Sequence, residues 1–96
     1  MSEEKPVLEY DKPLIEYPTV YPFKVMGKLE HGFADYIHEK FTRLLGAELA
    51  ADAITQNVSN QGRFVSLTIS VTLVSEAQRQ AIYADIHVDK RIVYYL

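Results

Sequence analysis

Residues 64–73 read Phe-Val-Ser-Leu-Thr-Ile-Ser-Val-Thr-Leu. Val65, Leu67, Ile69, Val71 and Leu73 alternate without a break with Ser66, Thr68, Ser70 and Thr72. Successive side chains of a strand point to opposite faces. The pattern therefore predicts a strand with one apolar face and one row of hydroxyls. That is the pattern of an antiparallel sheet packed on one side and open on the other.

The rest of the chain supplies partners for that strand. Residues 19–28 predict a first strand, with Tyr21, Phe23 and Val25 on one face and Lys24 and Met26 on the other. Pro22 cannot donate to a ladder and belongs near the strand start or an open edge. Gly27 is expected to end the strand. Over 32–46 the period changes. Phe33, Ile37, Phe41, Leu44 and Leu45 recur at spacings of three and four, which makes one apolar helical stripe. Asp35, His38, Glu39, Lys40 and Arg43 fall largely on its other faces. Gly46 is the expected stop. Residues 52–59 predict a second strand. The turn Ser59-Asn60-Gln61-Gly62 joins it to 64–73 as a hairpin.

Ser75 opens a second helix. Ser75 and Gln78 have the spacing of a capping box. Its stripe is thin, carried by Ile82, Tyr83 and Ile86 with Ala77, Ala81 and Ala84, and interrupted by Arg79. Residues 91–96 form a last strand that is apolar on both faces. The order is strand, helix, strand, strand, helix, strand. Two right-handed crossovers place both helices on one side of a four-stranded antiparallel sheet. The expected fold is α+β, ferredoxin-like βαββαβ.

A chain of 96 residues has room for one modest core. Residues 14–96 form the expected single domain. Residues 1–13 carry Pro6, Pro13 and no periodicity, and are expected to be a mobile acidic lead-in. Residues 1–16 hold Glu3, Glu4, Glu9, Asp11 and Glu16 against Lys5 and Lys12, so the net charge of −3 resides there. The body is neutral, which argues against a nucleic-acid partner. No apolar run reaches the ~18 residues of a membrane span. The first residues lack a secretory pattern. With no cysteine, disulfides, thiol catalysis and thiolate metal sites fall away, and a cytoplasmic location is expected.

Two stretches carry a family resemblance. Leu14-Ile-Glu-Tyr-Pro-Thr-Val-Tyr-Pro-Phe-Lys-Val-Met-Gly27 resembles the opening of the YbeD-like family, small bacterial proteins of unknown function. Ser59-Asn-Gln-Gly-Arg-Phe-Val-Ser-Leu-Thr-Ile-Ser-Val71 is similar to its second signature, a Ser/Gly turn entering a Ser/Thr-alternating strand. The resemblance spans about residues 14–96. It implies a ferredoxin-like fold similar to regulatory domains of the ACT type, and it implies no reaction. Arg79 and the Tyr-rich last strand depart from the family pattern.

No catalytic constellation is visible. His31, His38 and His87 lack the further ligands of a metal site, so neither metal nor other cofactor is expected. Hydroxyls are ordinary residues on an open strand face. No phosphate-binding glycine pattern is present. Gly62-Arg63-Phe64-Val65 faintly resembles an RNA-recognition strand. Ser66 and Thr68 then stand where stacking aromatics would be needed. Phe64 is expected to pack on the turn.

The expected role is a non-catalytic regulatory or protein-interaction domain that uses its open sheet face or an edge strand. The candidate partner face is Lys24, Met26, Ser66, Thr68 and Ser70, joined by one alternating set of the last strand. Leu14, Tyr10 and Tyr17 are suited to cover part of it. The alternative is an ACT-like sensor that binds a small effector at the first strand–helix loop, through Gly27, Lys28, His31 and Gly32. A homodimer is compatible with either reading.

Overall fold

Strands β1 (Thr19–Lys28) and β3 (Phe64–Leu73) pair antiparallel over their whole length, from Thr19 opposite Leu73 to Lys28 opposite Phe64. The alternation read in 64–73 fixes the consequence. Val65, Leu67, Ile69, Val71 and Leu73 are buried together with Phe23 and Val25. This computed structural model describes residues 15–96. The expected lead-in, with Tyr10 and Leu14, lies outside the described residues.

Strand β2 (Ile54–Val58) flanks β3, and β4 (Ile92–Tyr95) flanks β1, giving the order β2-β3-β1-β4. All pairings are antiparallel. Helices α1 (Phe33–Leu45) and α2 (Glu76–His87) are the crossovers. The fold is the ferredoxin-like α+β arrangement that the element order implied. Among the described residues, no helix is long and apolar enough to cross a membrane.

Helix α1 buries Phe33, Ile37 and Phe41, with Leu44 and Leu45 half-buried, as its stripe predicts. Gly46 ends it at φ 71°, and its N–H donates to the Thr42 carbonyl at 2.9 Å. That left-handed conformation favours glycine. In α2, the Ser75 hydroxyl accepts from the Gln78 N–H at 3.1 Å. Gln78 reaches back one residue further than expected and accepts from the Val74 N–H at 2.7 Å. Ile82 and Ile86 are buried, but Ala77, Ala81 and Ala84 face out. A stripe of two isoleucines is too narrow to fill the space over the sheet. Tyr83 closes it instead, with ring centroids 4.9 Å from Phe23 and 5.9 Å from Tyr95.

Three local features differ from the sequence reading. The second strand begins at Ile54, because Ala51–Ala53 form a 3-10 turn in which the Ala53 N–H donates to the Ala50 carbonyl. Tyr17 does not cover the open sheet face. Its hydroxyl donates to Glu76 at 2.6 Å, on the helix side. β1 has the span read for it, Thr19–Lys28, but Gly27 lies inside the strand and is not its exit. The glycine is there because the Phe33 ring lies on it. A Cβ at Gly27 would stand 2.3 Å from Phe33 Cζ and 2.8 Å from the Arg91 carbonyl oxygen. The β1–β4 register also shifts between Met26 and Gly27.

Pro22 sits within a central strand without cost. Backbone bonds from Lys24 and Leu96 to one another show that even-numbered β1 residues aim their N–H groups towards β4. β4 has no residue opposite Pro22. The missing donor therefore costs no β1–β4 hydrogen bond among the described residues.

Gly27→Ala is expected to destabilise the fold by about 1–3 kcal/mol through overpacking. Urea unfolding measures it. An unchanged midpoint would show that Phe33 moves aside freely.

Candidate functional site

The open face is built from the even positions of β1 and β3. Lys24 stands opposite Thr68, Met26 opposite Ser66, and Pro22 opposite Ser70. The five residues expected to share a face are therefore contiguous on the two central strands. β2 adds Asn57 beside Ser66 and Thr55 beside Thr68. β4 adds Tyr94 opposite Met26. Leu96 extends the row, since its N–H donates to the Lys24 carbonyl at 2.9 Å.

Two cross-strand rows result: Asn57–Ser66–Met26–Tyr94 and Thr55–Thr68–Lys24–Leu96. Each runs from hydroxyls and amides on the β2 side to apolar groups on the β4 side. Tyr94 is 58% exposed and Leu96 61%. Of the two alternating sets in the last strand, this is the set that joins the face. Tyr95 turns to the helix side, where its hydroxyl lies 3.0 Å from His87 Nδ1.

The expected effector loop is divided. Gly27 is buried under Phe33 and offers no surface. Lys28 is exposed at the strand end, between two clefts. One, of about 380 Å³, is lined by Lys28, Leu29, Glu30, Gly62, Arg63 and Phe64. Phe64 is half-buried there. The other, of about 160 Å³, is lined by Lys28, Glu30, Phe33, Lys90, Arg91 and Val93. His31 is exposed in the following turn, and Gly32 caps α1 at φ 86° without a side-chain bond. The Phe33 N–H is already taken by the Glu30 carbonyl at 3.1 Å. Among the described residues, no three His, Asp or Glu side chains gather to hold a metal.

The helix side holds two polar clusters that periodicity did not reveal. Periodicity puts Lys40 among the outward residues of α1, yet it is 6% exposed. It pairs with Asp85 and, at 3.0 Å, with Asp89, whose side chain is 3% exposed. Asp89 also accepts from the Tyr36 hydroxyl at 2.7 Å and the Arg91 N–H at 2.8 Å. Burial works against the charge on Lys40, but its bonds to Asp85 and Asp89 outweigh it and its pKa lies above the ordinary value. Burial likewise opposes ionisation of Asp89. The Tyr36, Arg91 and Lys40 bonds overcome this and hold its pKa below the ordinary value. The available signal was the four-residue spacing of Tyr36 and Lys40, which puts both on one helix edge.

In the second cluster, Arg79 donates to both carboxylate oxygens of Glu76, at 3.1 and 2.7 Å. Its guanidinium lies 5.6 Å from the ring centroids of Tyr21 and Tyr83. So the residue that interrupts the α2 stripe covers aromatic faces with its planar head. Hydrogen bonds from Arg79, Tyr17 and Gln80 hold the Glu76 carboxyl at about 2. Both clusters link elements through hydrogen bonds and ion pairs, so they tie the helices down.

Residues 12–96 match the family described as "Protein of unknown function (DUF493)". The chain belongs to this family. Its relatives in the UPF0250 group include a protein of Leptothrix cholodnii, 40% identical over 79% of this chain and 82% of the relative. A protein of Ectopseudomonas mendocina is 35% identical over 83% and 87%. One from Chromobacterium violaceum is 35% identical over 86% and 85%. No solved structure matches. The resemblance to YbeD-like proteins is thereby borne out as family membership, and the DUF493 description carries no reaction.

Two measurements test the clusters. Lys40→Met is expected to cost about 3–5 kcal/mol, because it leaves the buried Asp89 carboxylate without its ammonium partner. Adding Asp89→Asn should cost less than the sum of the two single changes, a coupling that a double-mutant cycle in urea reads. For Glu76 the folded pKa lies below the unfolded one. Its contribution is present at neutral pH and is lost as pH falls from 4.5 towards about 2. Glu76→Gln should flatten the plot of urea midpoint against pH across that window.

Proposed function

We propose that this DUF493 protein is a non-catalytic interaction domain that binds a protein partner on its open sheet face. The observation that supports this is the paired arrangement of polar and apolar halves. Hydroxyls and amides of β2 and β3 adjoin Met26, Tyr94 and Leu96 within the same cross-strand rows. Interfaces of non-obligate complexes combine aromatic and methionine side chains with nearby hydrogen-bonding groups. The face is presented by paired strands, so a partner meets it with little ordering cost. A cytoplasmic setting fits a chain without cysteine.

A second reading has its own observation. Lys28, Arg63, Lys90 and Arg91 line the two clefts at the end of the sheet against the single acid Glu30. None of the four forms an ion pair among the described residues. The chemistry there suits a small anionic effector, which keeps the sensor role as the alternative. Gly27 takes no part in it.

Affinity capture from a bacterial lysate separates the readings. Thr68→Arg puts a charge in the centre of the open face and leaves the helix side untouched. It is expected to lose a protein that the parent chain and an Arg43→Glu control both retain, with unfolding midpoints unchanged. Capture that survives Thr68→Arg but fails with Lys28→Glu would move the site to the clefts.

A further inference from the structure

We propose that β2 is the self-pairing edge of a two-fold homodimer, in which two sheets join into one. The backbone directions come first. The Ser59 N–H donates to the Phe64 carbonyl at 2.9 Å, and Ser59 continues the β2–β3 register. Antiparallel strands alternate between bonded and non-bonded pairs. Thr55 and Asn57 therefore bond inward to β3. Ile54, Gln56 and Val58 aim their N–H and C=O groups outward, where the described chain provides no strand.

Unpaired edges are normally guarded by charge, proline or a bulge. Ile54-Thr55-Gln56-Asn57-Val58 has no charged residue and no proline, and its register with β3 is unbroken. The opposite edge differs. β4 is entered through Lys90 and Arg91, and its pairing with β1 is bulged. The sheet thus has one guarded edge and one open edge.

The open edge is complementary to itself. With a two-fold axis through Gln56, Ile54 of each copy meets Val58 of the other, and Thr55 meets Asn57. The outward backbone groups of Ile54, Gln56 and Val58 then pair in both directions. Ile54 and Val58 lie on the helix side, opposite Ile69 and Val65. Their apolar side chains meet on one face, while the hydroxyl and amide meet on the other. Val58, 43% exposed, becomes covered. A slip of two residues would set Ile54 against Gln56 and leave both Val58 residues without a strand partner. No like charges face one another in the proposed register. Closed two-fold pairing consumes both open edges and leaves only the guarded β4 edges outside, so assembly stops at two. The two open faces, and with them the hydroxyl rows, become one continuous surface.

Sedimentation velocity at micromolar concentrations tests this on the full chain. The parent is expected to sediment as a dimer. Gln56→Lys, which places two ammonium groups across the axis, should sediment as a monomer with an unchanged circular dichroism spectrum. Because the chain has no cysteine, Gln56→Cys gives a second readout. Mild oxidation should yield an interchain disulfide, whereas the same treatment of Asn60→Cys, in the neighbouring turn, should not. A monomeric parent, or a dimer that persists in Gln56→Lys, would overturn the proposal.

Discussion

The ten-residue ladder between β1 and β3 is the constraint on which the rest depends. It sets the odd positions of both strands towards the helices and the even positions away from them. Phe23 and Val25 then meet Ile69 and Leu67 across the sheet, and α1 and α2 have an apolar floor to rest on. The same register aligns Lys24 with Thr68 and Met26 with Ser66. Core and open face are two sides of one decision, and a one-residue slip would exchange them.

Polar contacts then hold the helices where apolar area alone is scarce. α2 buries Ile82 and Ile86 but no alanine of its stripe. Its ends are tied instead. Near its start, Glu76 collects Arg79, Gln80 and Tyr17. Near its end, Asp85 and Asp89 hold Lys40 of α1. A buried ion pair of this kind adds little over a well-packed apolar substitute, but losing one partner strands the other. Its value here is positional, because it fixes α1 against the exit of α2.

The alternation of 64–73 and the stripe of α1 made the sheet, the core and the open face legible from sequence. Parity in β1 and β3 alone named the five central residues of that face. The choice of Tyr94 and Leu96 was not legible, because a strand apolar on both sides has no preferred face until its pairing is known. The burial of Lys40 is hidden for a different reason. Periodicity assigns a lysine to solvent, and only the distant Asp85 and Asp89 reverse that preference. At Gly27 the local cue of a glycine suggests a strand end, because it does not reveal a phenylalanine ring arriving from the next helix.

The connectivity of the sheet has a kinetic side. β3 meets β2 across the short Ser59–Gly62 turn, but it meets β1 only after the whole α1–β2 segment has been spanned. Contacts that close long loops form late and slow the search for the native state. During that interval, the β2–β3 hairpin stands with the hydrogen-bonding edges of both its strands unsatisfied. The hydroxyls on alternate positions of β3 give one side of that hairpin an affinity for water while its apolar side waits for β1 and the helices. The row of serines and threonines that lines the finished surface is thus also the polar side of that hairpin.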